Sequence, residues 1–447
     1  MVRNLKWVAF LLLALGFGAF VFSQKPPSQR KYPNRIEVRF WHRWGGEWAK
    51  VVADIAERYN QSQTKYEVVP LSIPGSGADS KLTLGIIGGN PPDVMSMWNG
   101  AIPSLASNGL LTPLEEVMPP EDQARFMNDS YPVIRDSGRF DGKTYGVTIG
   151  SDLYALYVNE EHLKELGLNV EDFPKTLEGV CELGNRLNKT DANGNLTRLG
   201  FLLNSFSFVA YNFGPGFYDP ASDSLTLNSA ANLRALEFIT EERRKIGFER
   251  VTRFQAGLNT GSDTGGWPFI TGDLSITIDG QWRVEEIRKY RPDMKYRVIP
   301  IPPPATNGRA MGGTISGNFM VIPTSAKQKE GAWDFIRFWS GFADKEASAR
   351  CFNDGGWLPL FPDLVETKTF QAWLKQGPEF QGFIDILSSE NCLPMPPVPY
   401  LQFLNDQIGR AEDQAVRGTL SPKAALEKLR YTVAEEQRKR KSLGYEE

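Results

Sequence analysis

Several tryptophans stand beside small or polar residues at breaks in the sequence. The chain has 11 tryptophans, and four of these breaks read "MWNG", "GGWPF", "DGQWR" and "DGGWLP". An aromatic ring offers a large flat face at small conformational cost, and neighbouring amides and carboxylates supply hydrogen bonds. A pyranose has an apolar ring face and a rim of hydroxyl groups, so this combination suits non-covalent sugar binding. The tryptophans concerned are Trp98, Trp267, Trp282 and Trp357.

Each of these rings also has an interpretation in which it only packs. Trp282 either faces a ligand or lies back over the core of its own domain, and Trp44 either lines a site or covers the start of the following helix. For Trp98, Trp267 and Trp357 the surrounding residues fit both roles equally well.

Other chemistry finds little support in the sequence. Two histidines, His42 and His162, and three widely separated cysteines argue against a zinc site or a Ser-His-Asp triad. "DANGNLT" (191–197) lacks the twelfth-position glutamate of a calcium loop, and "GSGADSK" (75–81) departs from the pattern GxxxxGK[ST] of phosphate-binding loops. No sequence signature pairs two carboxyl groups for glycoside hydrolysis. We therefore expect no cofactor, no metal and no enzyme, with a secreted carbohydrate-active enzyme kept as an alternative.

Strand-like and helix-like segments alternate in the first hundred residues. They are a strand at 35–41, a helix at 48–62, a strand at 65–73, a helix at 78–87 and a strand that ends at 98. This alternation predicts a parallel α/β layer. Ligands of such sheets bind beyond the carboxyl ends of the strands, where Trp44, Trp98 and Asn99 fall.

Length and charge limit the organisation and the partners. A chain of 447 residues exceeds what one core usually holds, so at least two lobes are expected. With Lys+Arg 50 against Asp+Glu 53 the net charge is -3, which provides no basic surface for nucleic acid.

The amino terminus predicts export. A basic start precedes an apolar run from Trp7 to Phe22, which is shorter than a membrane span and typical of a secretory signal. We assign residues 1–23 to a signal peptide, with an uncleaved anchor as the alternative, and 24–34 to a polar linker. The mature chain is then periplasmic or extracytoplasmic. There Cys351 and Cys392 could form a disulfide, although the odd cysteine count leaves the pairing open.

Six phrases, in order along the chain, resemble one family. They are "FWHRWGGEWAKVVADIAERYNQS", "KLTLGIIGGNPPDVMSMWNGAIPSLASNGLLTPLEE", "FDGKTYGVTIGSDLYALYVNEEHLKELGL", "ITGDLSITIDGQWRVEEI", "YRVIPIPPP" and "GGTISGNFMVIPTSAKQKEGAWDFIRFW". The chain resembles the extracellular solute-binding proteins of carbohydrate ABC importers, a superfamily that includes maltose-binding protein. The resemblance implies a two-lobed, type II periplasmic-binding-protein-like α/β fold with crossing hinge segments. It also implies a cleft that closes on a sugar, delivery to transmembrane ABC permease subunits, and a monomer.

The resemblance also implies roles for individual residues. Asp152 stands where relatives keep an acidic acceptor for sugar hydroxyls, and Trp282 stands where they keep a stacking aromatic. Asn99 stands where they place a polar contact, although the preceding Trp98 departs from their pattern. The complete expected ligand-binding set is Trp44, Trp98, Asn99, Asp152, Tyr154, Trp267, Trp282 and Trp357.

The expected domains correspond to the two lobes of this fold. Lobe one takes 35–145 plus 314–340, and lobe two takes 146–313 plus 341–447 with the C-terminal helices packed on a lobe. Bound sugar is expected to stabilise the closed arrangement of the lobes. The length and charge of the sugar stay open, and a periplasmic sensing subunit is an alternative to a transport component.

Overall fold

A computed structural model describes residues 30–73, 78–89, 91–203, 205–258, 266–309 and 313–444. The helices are α1 (Gly46–Ser62), α2 (Ala78–Ile87), α3 (Ile102–Ser107), α4 (Pro120–Asp129), α5 (Pro132–Ser137), α6 (Glu160–Lys164), α7 (Leu177–Leu187), α8 (Phe206–Phe213), α9 (Ala230–Ile246), α10 (Phe248–Ala256), α11 (Pro268–Thr271), α12 (Trp282–Tyr290), α13 (Lys329–Ser340), α14 (Lys345–Gly355), α15 (Pro362–Val365), α16 (Lys368–Leu374), α17 (Gln381–Leu387), α18 (Leu401–Val416) and α19 (Pro422–Ser442). The strands are β1 (Ile36–His42), β2 (Tyr66–Ser72), β3 (Val94–Trp98), β4 (Arg139–Phe140), β5 (Lys143–Thr144), β6 (Gly146–Asp152), β7 (Tyr154–Asn159), β8 (Lys189–Thr190), β9 (Leu196–Phe201), β10 (Tyr218–Asp219), β11 (Ser224–Leu225), β12 (Leu274–Gly280), β13 (Tyr296–Ile299), β14 (Gly313–Val321) and β15 (Cys392–Pro394). The predicted signal peptide, residues 1–23, lies outside the described residues.

The first sheet has the order β15-β14-β3-β1-β2, with β6 also paired to β14. Strands β2, β1 and β3 are parallel, and helices α1 and α2 connect them as crossovers. Strand β14 runs antiparallel to both β3 and β6. The parallel α/β layer predicted from the first hundred residues is confirmed.

The second sheet has the order β13-β7-β12-β9-β8. Strands β12 and β9 are parallel, whereas β7 runs antiparallel to both β12 and β13. The chain therefore builds two α/β lobes around two mixed sheets, which confirms the predicted two-lobed fold class.

The chain crosses from the first sheet to the second directly after β6. Strand β6 ends in the first sheet and β7 begins in the second, with only Leu153 between them. Strand β14 pairs with β6 here, and the φ angle of Gly317 is +150°. A Cβ atom on Gly317 would lie 2.4 Å from the carbonyl oxygen of Gly150. The two crossing strands thus approach too closely for a side chain at this point.

Two large apolar clusters hold the lobes. The first fills the space around β1, β3, α1 and α13 and continues through α14 to α17 as far as Tyr157 and Tyr296 of the second sheet. The second packs α7, α8 and α9 against the second sheet and under α18 and α19. The C-terminal helices therefore pack on a lobe, as predicted.

Three further observations bear on the sequence-based expectations. Cys181, Cys351 and Cys392 are all buried free thiols, so Cys351 and Cys392 form no disulfide. Within the described ranges, none of the helices combines the length and the apolar character needed to cross a membrane. The residue limits of the two lobes stay a prediction.

Candidate functional site

The centre of the candidate site is Asp152, the last residue of β6 before the chain changes sheets. The side chain is half-buried, and its Oδ1 accepts a hydrogen bond of 2.9 Å from Nε2 of Gln281. Burial raises the pKa of the Asp152 carboxyl to about 6, while the Gln281 hydrogen bond and the positive charge of Arg43 lower it. A carboxylate in this setting is a strong hydrogen-bond acceptor with little water around it.

The second lobe forms a group of three half-buried aromatic rings that begins two residues after Asp152. Tyr154 begins β7 and lies opposite Gly280 of β12. Its ring stacks on Phe208 with centroids 4.0 Å apart and meets Trp282 edge-on at 5.8 Å. Phe208 was missed from the sequence because it lies within the apolar run that forms α8, without a neighbouring break.

Trp282 is the first residue of α12, and its ring folds back over the end of β12. A Cβ atom on Gly280 would lie 2.0 Å from that ring, so only glycine leaves room for this arrangement. The indole is neither a fully buried core residue nor a free surface ring, since its side chain is half-buried. Trp282 therefore combines the two interpretations given from the sequence: it packs on its own strand and keeps part of its surface accessible.

The first lobe contributes a cluster of tryptophans around Trp44, which follows β1. The half-buried Trp44 lies with its centroid 5.0 Å from Trp357 and stacks on Trp339 at 6.4 Å with an interplanar angle of 13°. Trp357 is only 4% exposed. It covers Gly150 of β6, where an added Cβ would lie 2.8 Å from the ring. Trp357 is thus a buried support between Trp44 and the crossing strand.

Trp98 is the last residue of β3, next to β14, and Asn99 follows it. The Trp98 ring is half-buried and lies over Gly100. Asn99 is 4% exposed, and its Oδ1 accepts a hydrogen bond of 3.1 Å from the backbone N–H of Gly317. The Asn99 amide oxygen is therefore used to hold the crossing strand β14.

A cavity of about 880 Å³ opens beside Asn99 and Gly100. Its wall combines Asp136 and Phe140 of the first lobe, Tyr218 on β10, and Met395 and Pro396 after β15. Cavities of this size hold ligands in many proteins. Asn99 lines this cavity, whereas Asp152, Tyr154 and Trp282 are not among its lining residues.

Trp267 lies apart from the residues around Asp152. Its side chain is 4% exposed, and its ring packs against Tyr157 at 5.3 Å and Phe269 at 5.0 Å. The guanidinium of Arg283 lies 4.5 Å from the ring centroid, and Arg283 also pairs with Asp279 at 3.0 Å. These contacts are those of a core residue, so a direct contact of Trp267 with a ligand stays a prediction.

The structure thus brings the expected residues together in two groups. Asp152, Tyr154 and Trp282 are joined through Gln281 and β12, and Trp44 joins Trp357 next to Gly150. Gln281 was not anticipated. The available signal was an amide immediately before a helix, where a shorter capping side chain is usual.

Comparisons with known proteins agree with this architecture. Two relatives, the sn-glycerol-3-phosphate-binding periplasmic proteins UgpB of Yersinia pseudotuberculosis and Salmonella typhimurium, are each 23% identical to this chain. The alignments cover 88% and 87% of this chain and 90% of each relative.

Two solved structures show the same fold. CpMnBP1 with mannobiose bound has a TM-score of 0.76 at 22% identity, covering 89% of this chain and 99% of its own. The sugar-binding protein MalE of Xanthomonas citri has a TM-score of 0.70 at 21% identity, covering 92% and 100%. The sequence pattern of one family, described as bacterial extracellular solute-binding protein, matches residues 54–378. This match spans well over half of the chain and agrees with the resemblance seen in the sequence, and the protein belongs to the family of bacterial extracellular solute-binding proteins.

Proposed function

We propose that this protein captures a carbohydrate between its two lobes and delivers it to the transmembrane subunits of an ABC importer. One observation carries the proposal: a half-buried carboxylate, Asp152, stands at the sheet crossing beside half-buried aromatic rings of the second lobe. Trp44, supported by Trp357 on the neighbouring Gly150, adds an aromatic surface from the first lobe.

The chemistry of each group matches a different part of a sugar. Trp44 and Trp282 provide aromatic faces for the C–H surface of a pyranose, and Asp152 provides a charged acceptor for its hydroxyl groups. A ligand that touches both lobes stabilises the closed arrangement by the difference between its affinities for the closed and open forms. Closure then creates the surface that a permease recognises. Trp98, Asn99 and Tyr154 complete the proposed ligand-binding set, with Trp357 as the support of Trp44.

The named relatives and neighbours support two ligand classes. Structural neighbours bind mannobiose and sugars by their names, whereas the named sequence relatives bind sn-glycerol-3-phosphate. A phosphate dianion at this site would meet the negative charge of Asp152, with Arg43 as the opposing positive charge. The carboxylate therefore favours an uncharged sugar, and sn-glycerol-3-phosphate is the second candidate.

Calorimetric titration of the purified protein with mannobiose, maltotriose and sn-glycerol-3-phosphate tests the proposal. We expect saturable binding of an oligosaccharide, accompanied by a change in tryptophan fluorescence. Binding of sn-glycerol-3-phosphate alone would select the second candidate, and release of shorter sugars from the bound oligosaccharide would indicate an enzyme. Silence across all three ligands contradicts the carbohydrate proposal.

The remaining parts of the proposal concern location and assembly. We propose that the protein works on the extracytoplasmic side as a monomer, with permease subunits as its protein partners. Reconstitution with candidate permease subunits tests transport directly, because a sensing subunit would bind the sugar without stimulating ATP hydrolysis by the transporter.

A further inference from the structure

Gln281 occupies the position immediately before helix α12, but its side chain does not cap the helix. The backbone there has φ -63° and ψ -25°, and the side chain makes no capping hydrogen bond. Serine, threonine, aspartate and asparagine are the usual residues at this position because their short side chains reach the first free N–H groups. Gln281 is also completely buried, at 0% exposure. A long buried amide at a helix start must therefore satisfy its polar atoms elsewhere.

The amide of Gln281 bonds to two successive residues of the sheet crossing. Its Oε1 accepts the backbone N–H of Leu153 at 3.0 Å, and its Nε2 donates to Oδ1 of Asp152 at 2.9 Å. The backbone N–H can only donate, so the amide oxygen must face Leu153 and the NH₂ group must face Asp152. This orientation makes Asp152 an acceptor toward Gln281, and the ionised carboxylate offers acceptors only.

We propose that Gln281 is a positioning residue of the ligand site: its amide holds Asp152 as a hydrogen-bond acceptor and ties residues 152–153 to the second lobe. The inference rests on the proposed function, because Asp152 is the acceptor for the ligand.

The hydrogen bond from Leu153 to Gln281 also affects where the chain bends between the lobes. Since Leu153 and Asp152 are attached to the start of α12, the bend between the lobes falls before Asp152, next to Gly150 and Gly317, where the strands approach most closely.

The charged surroundings of Asp152 determine what the loss of Gln281 would do. The charged and titratable groups that act on Asp152 or on its neighbour Tyr154 are Arg43 after β1, Asp279 on β12 and Arg283 on α12, together with Tyr154 itself on β7. Arg283 already pairs with Asp279. Once the Gln281 donor is removed, the positive charge of Arg43 still favours the ionised carboxylate. The Asp152 proton should then be bound more tightly.

A carboxyl titration of the ligand-free full chain tests the inference without any ligand. Aspartate is labelled with ¹³C at the carboxyl carbon, and the Asp152 signal is assigned by its loss in Asp152→Asn. We expect Gln281→Met to bind the Asp152 proton about tenfold more tightly, a rise of about one pH unit in the midpoint. An unchanged midpoint in this variant overturns the inference.

Gln281→Glu is a second variant of nearly the same size. It keeps an acceptor for Leu153 and places a second carboxyl beside Asp152, so the pair should share a proton and lose this last proton at a raised second midpoint. If Gln281→Met does not fold, this titration decides the question, and a pair that titrates like isolated carboxyls overturns the inference.

Asn60→Leu is the matched control. Asn60 is 5% exposed and also bridges backbone groups: its Nδ2 donates to the Val68 carbonyl at 3.0 Å, and its Oδ1 accepts the Val68 N–H at 2.7 Å. Removing it should lower thermal stability and leave the Asp152 midpoint unchanged. A shift in Asn60→Leu equal to that in Gln281→Met would reduce the effect of Gln281 to general destabilisation and overturn the inference.

Binding of mannobiose separates this inference from the proposed function. If the wild-type protein binds mannobiose, we expect about tenfold weaker binding in Gln281→Met, because one hydrogen bond that orients a charged acceptor is lost, and no change in Asn60→Leu. Equal affinity of Gln281→Met and the wild type overturns the positioning role. If the wild type binds none of the tested sugars, the proposed function fails, whereas the titration still decides whether Gln281 holds the Asp152 carboxylate.

Discussion

Replacing Asp152 with asparagine should stabilise the ligand-free protein at neutral pH. The side chain keeps its size, and its amide oxygen can still accept the hydrogen bond from Gln281. The folded protein raises the pKa of this carboxyl from 3.8 to about 6. A difference of about 2 units corresponds to about 3 kcal/mol of destabilisation by the ionised carboxylate, as an order of magnitude. Asparagine removes that term because it carries no charge.

The sign of the pH dependence follows from the direction of the shift. The folded state binds the Asp152 proton more tightly than the unfolded chain, so the penalty is fully present above about pH 6. It decreases as the pH falls from about 6 toward 3.8, because the folded protein then takes up the proton first. At pH 4.5 about two-thirds of the penalty should have disappeared. The stabilisation by Asp152→Asn should therefore be large at pH 7.5 and small at pH 4.5.

Chemical denaturation of both proteins at the two pH values measures this difference. We expect the difference in unfolding midpoint, in denaturant concentration, between variant and wild type to be smaller at low pH. Sugar binding by the variant at pH 7.5 should weaken by about tenfold or more because a charged acceptor is lost. A gap of equal size at pH 7.5 and pH 4.5 would show that Asp152 carries no desolvation penalty, and the reasoning from its burial would be refuted.

Four further outcomes are expected. Trp282→Ala should weaken sugar binding about tenfold and, at a half-buried position, lower the stability less than Trp267→Ala. Trp267→Ala, at a 4% exposed core position, should cost about 3–5 kcal/mol of stability. Gly280→Ala should weaken binding as much as Trp282→Ala in calorimetric titration, because the new Cβ would lie 2.0 Å from the Trp282 ring. Lys289 and Glu47 form an exposed ion pair of 3.5 Å between α12 and α1, and Lys289→Ala should change the affinity less than about threefold at physiological salt.

The sequence predicted the regular part of the fold well. The strands and helices predicted in the first hundred residues match β1 to β3, α1 and α2. The prediction succeeds because each of these elements buries one face, so its apolar residues recur at strand or helix spacing. The mixture of parallel and antiparallel pairing in the second sheet could not be predicted from the sequence. The direction of β7 relative to β13 depends on contacts between residues that are far apart in the chain. Recognition of the family from its six phrases supplied the two-lobed arrangement that periodicity alone could not.

The candidate site was only partly accessible from the sequence. Asp152 and Trp282 were predicted as site residues from the family pattern, and this role stays a prediction. The structure links them through Gln281, which bonds to Asp152 and directly precedes Trp282. The burial of Trp267 and Trp357 depends on neighbours that are distant in the chain, such as Tyr157 and Trp44. A tryptophan beside glycines therefore has two physical explanations: in this protein Gly150 makes room for a buried indole and Gly280 for a half-buried one.

The crossing strands also govern the order in which the chain can fold during or after synthesis. Strand β3 has β14 as its partner, and the bond from Gly317 to Asn99 joins positions 218 residues apart. The second lobe also completes its folding late, since its apolar cluster includes residues of α18 and α19 near the end of the chain. Long loops must therefore close before either lobe is complete, which slows folding. A nascent chain of this topology stays incompletely folded until its last fifth is available, which is the condition in which an unfolded polypeptide can still be threaded through a narrow translocation pore.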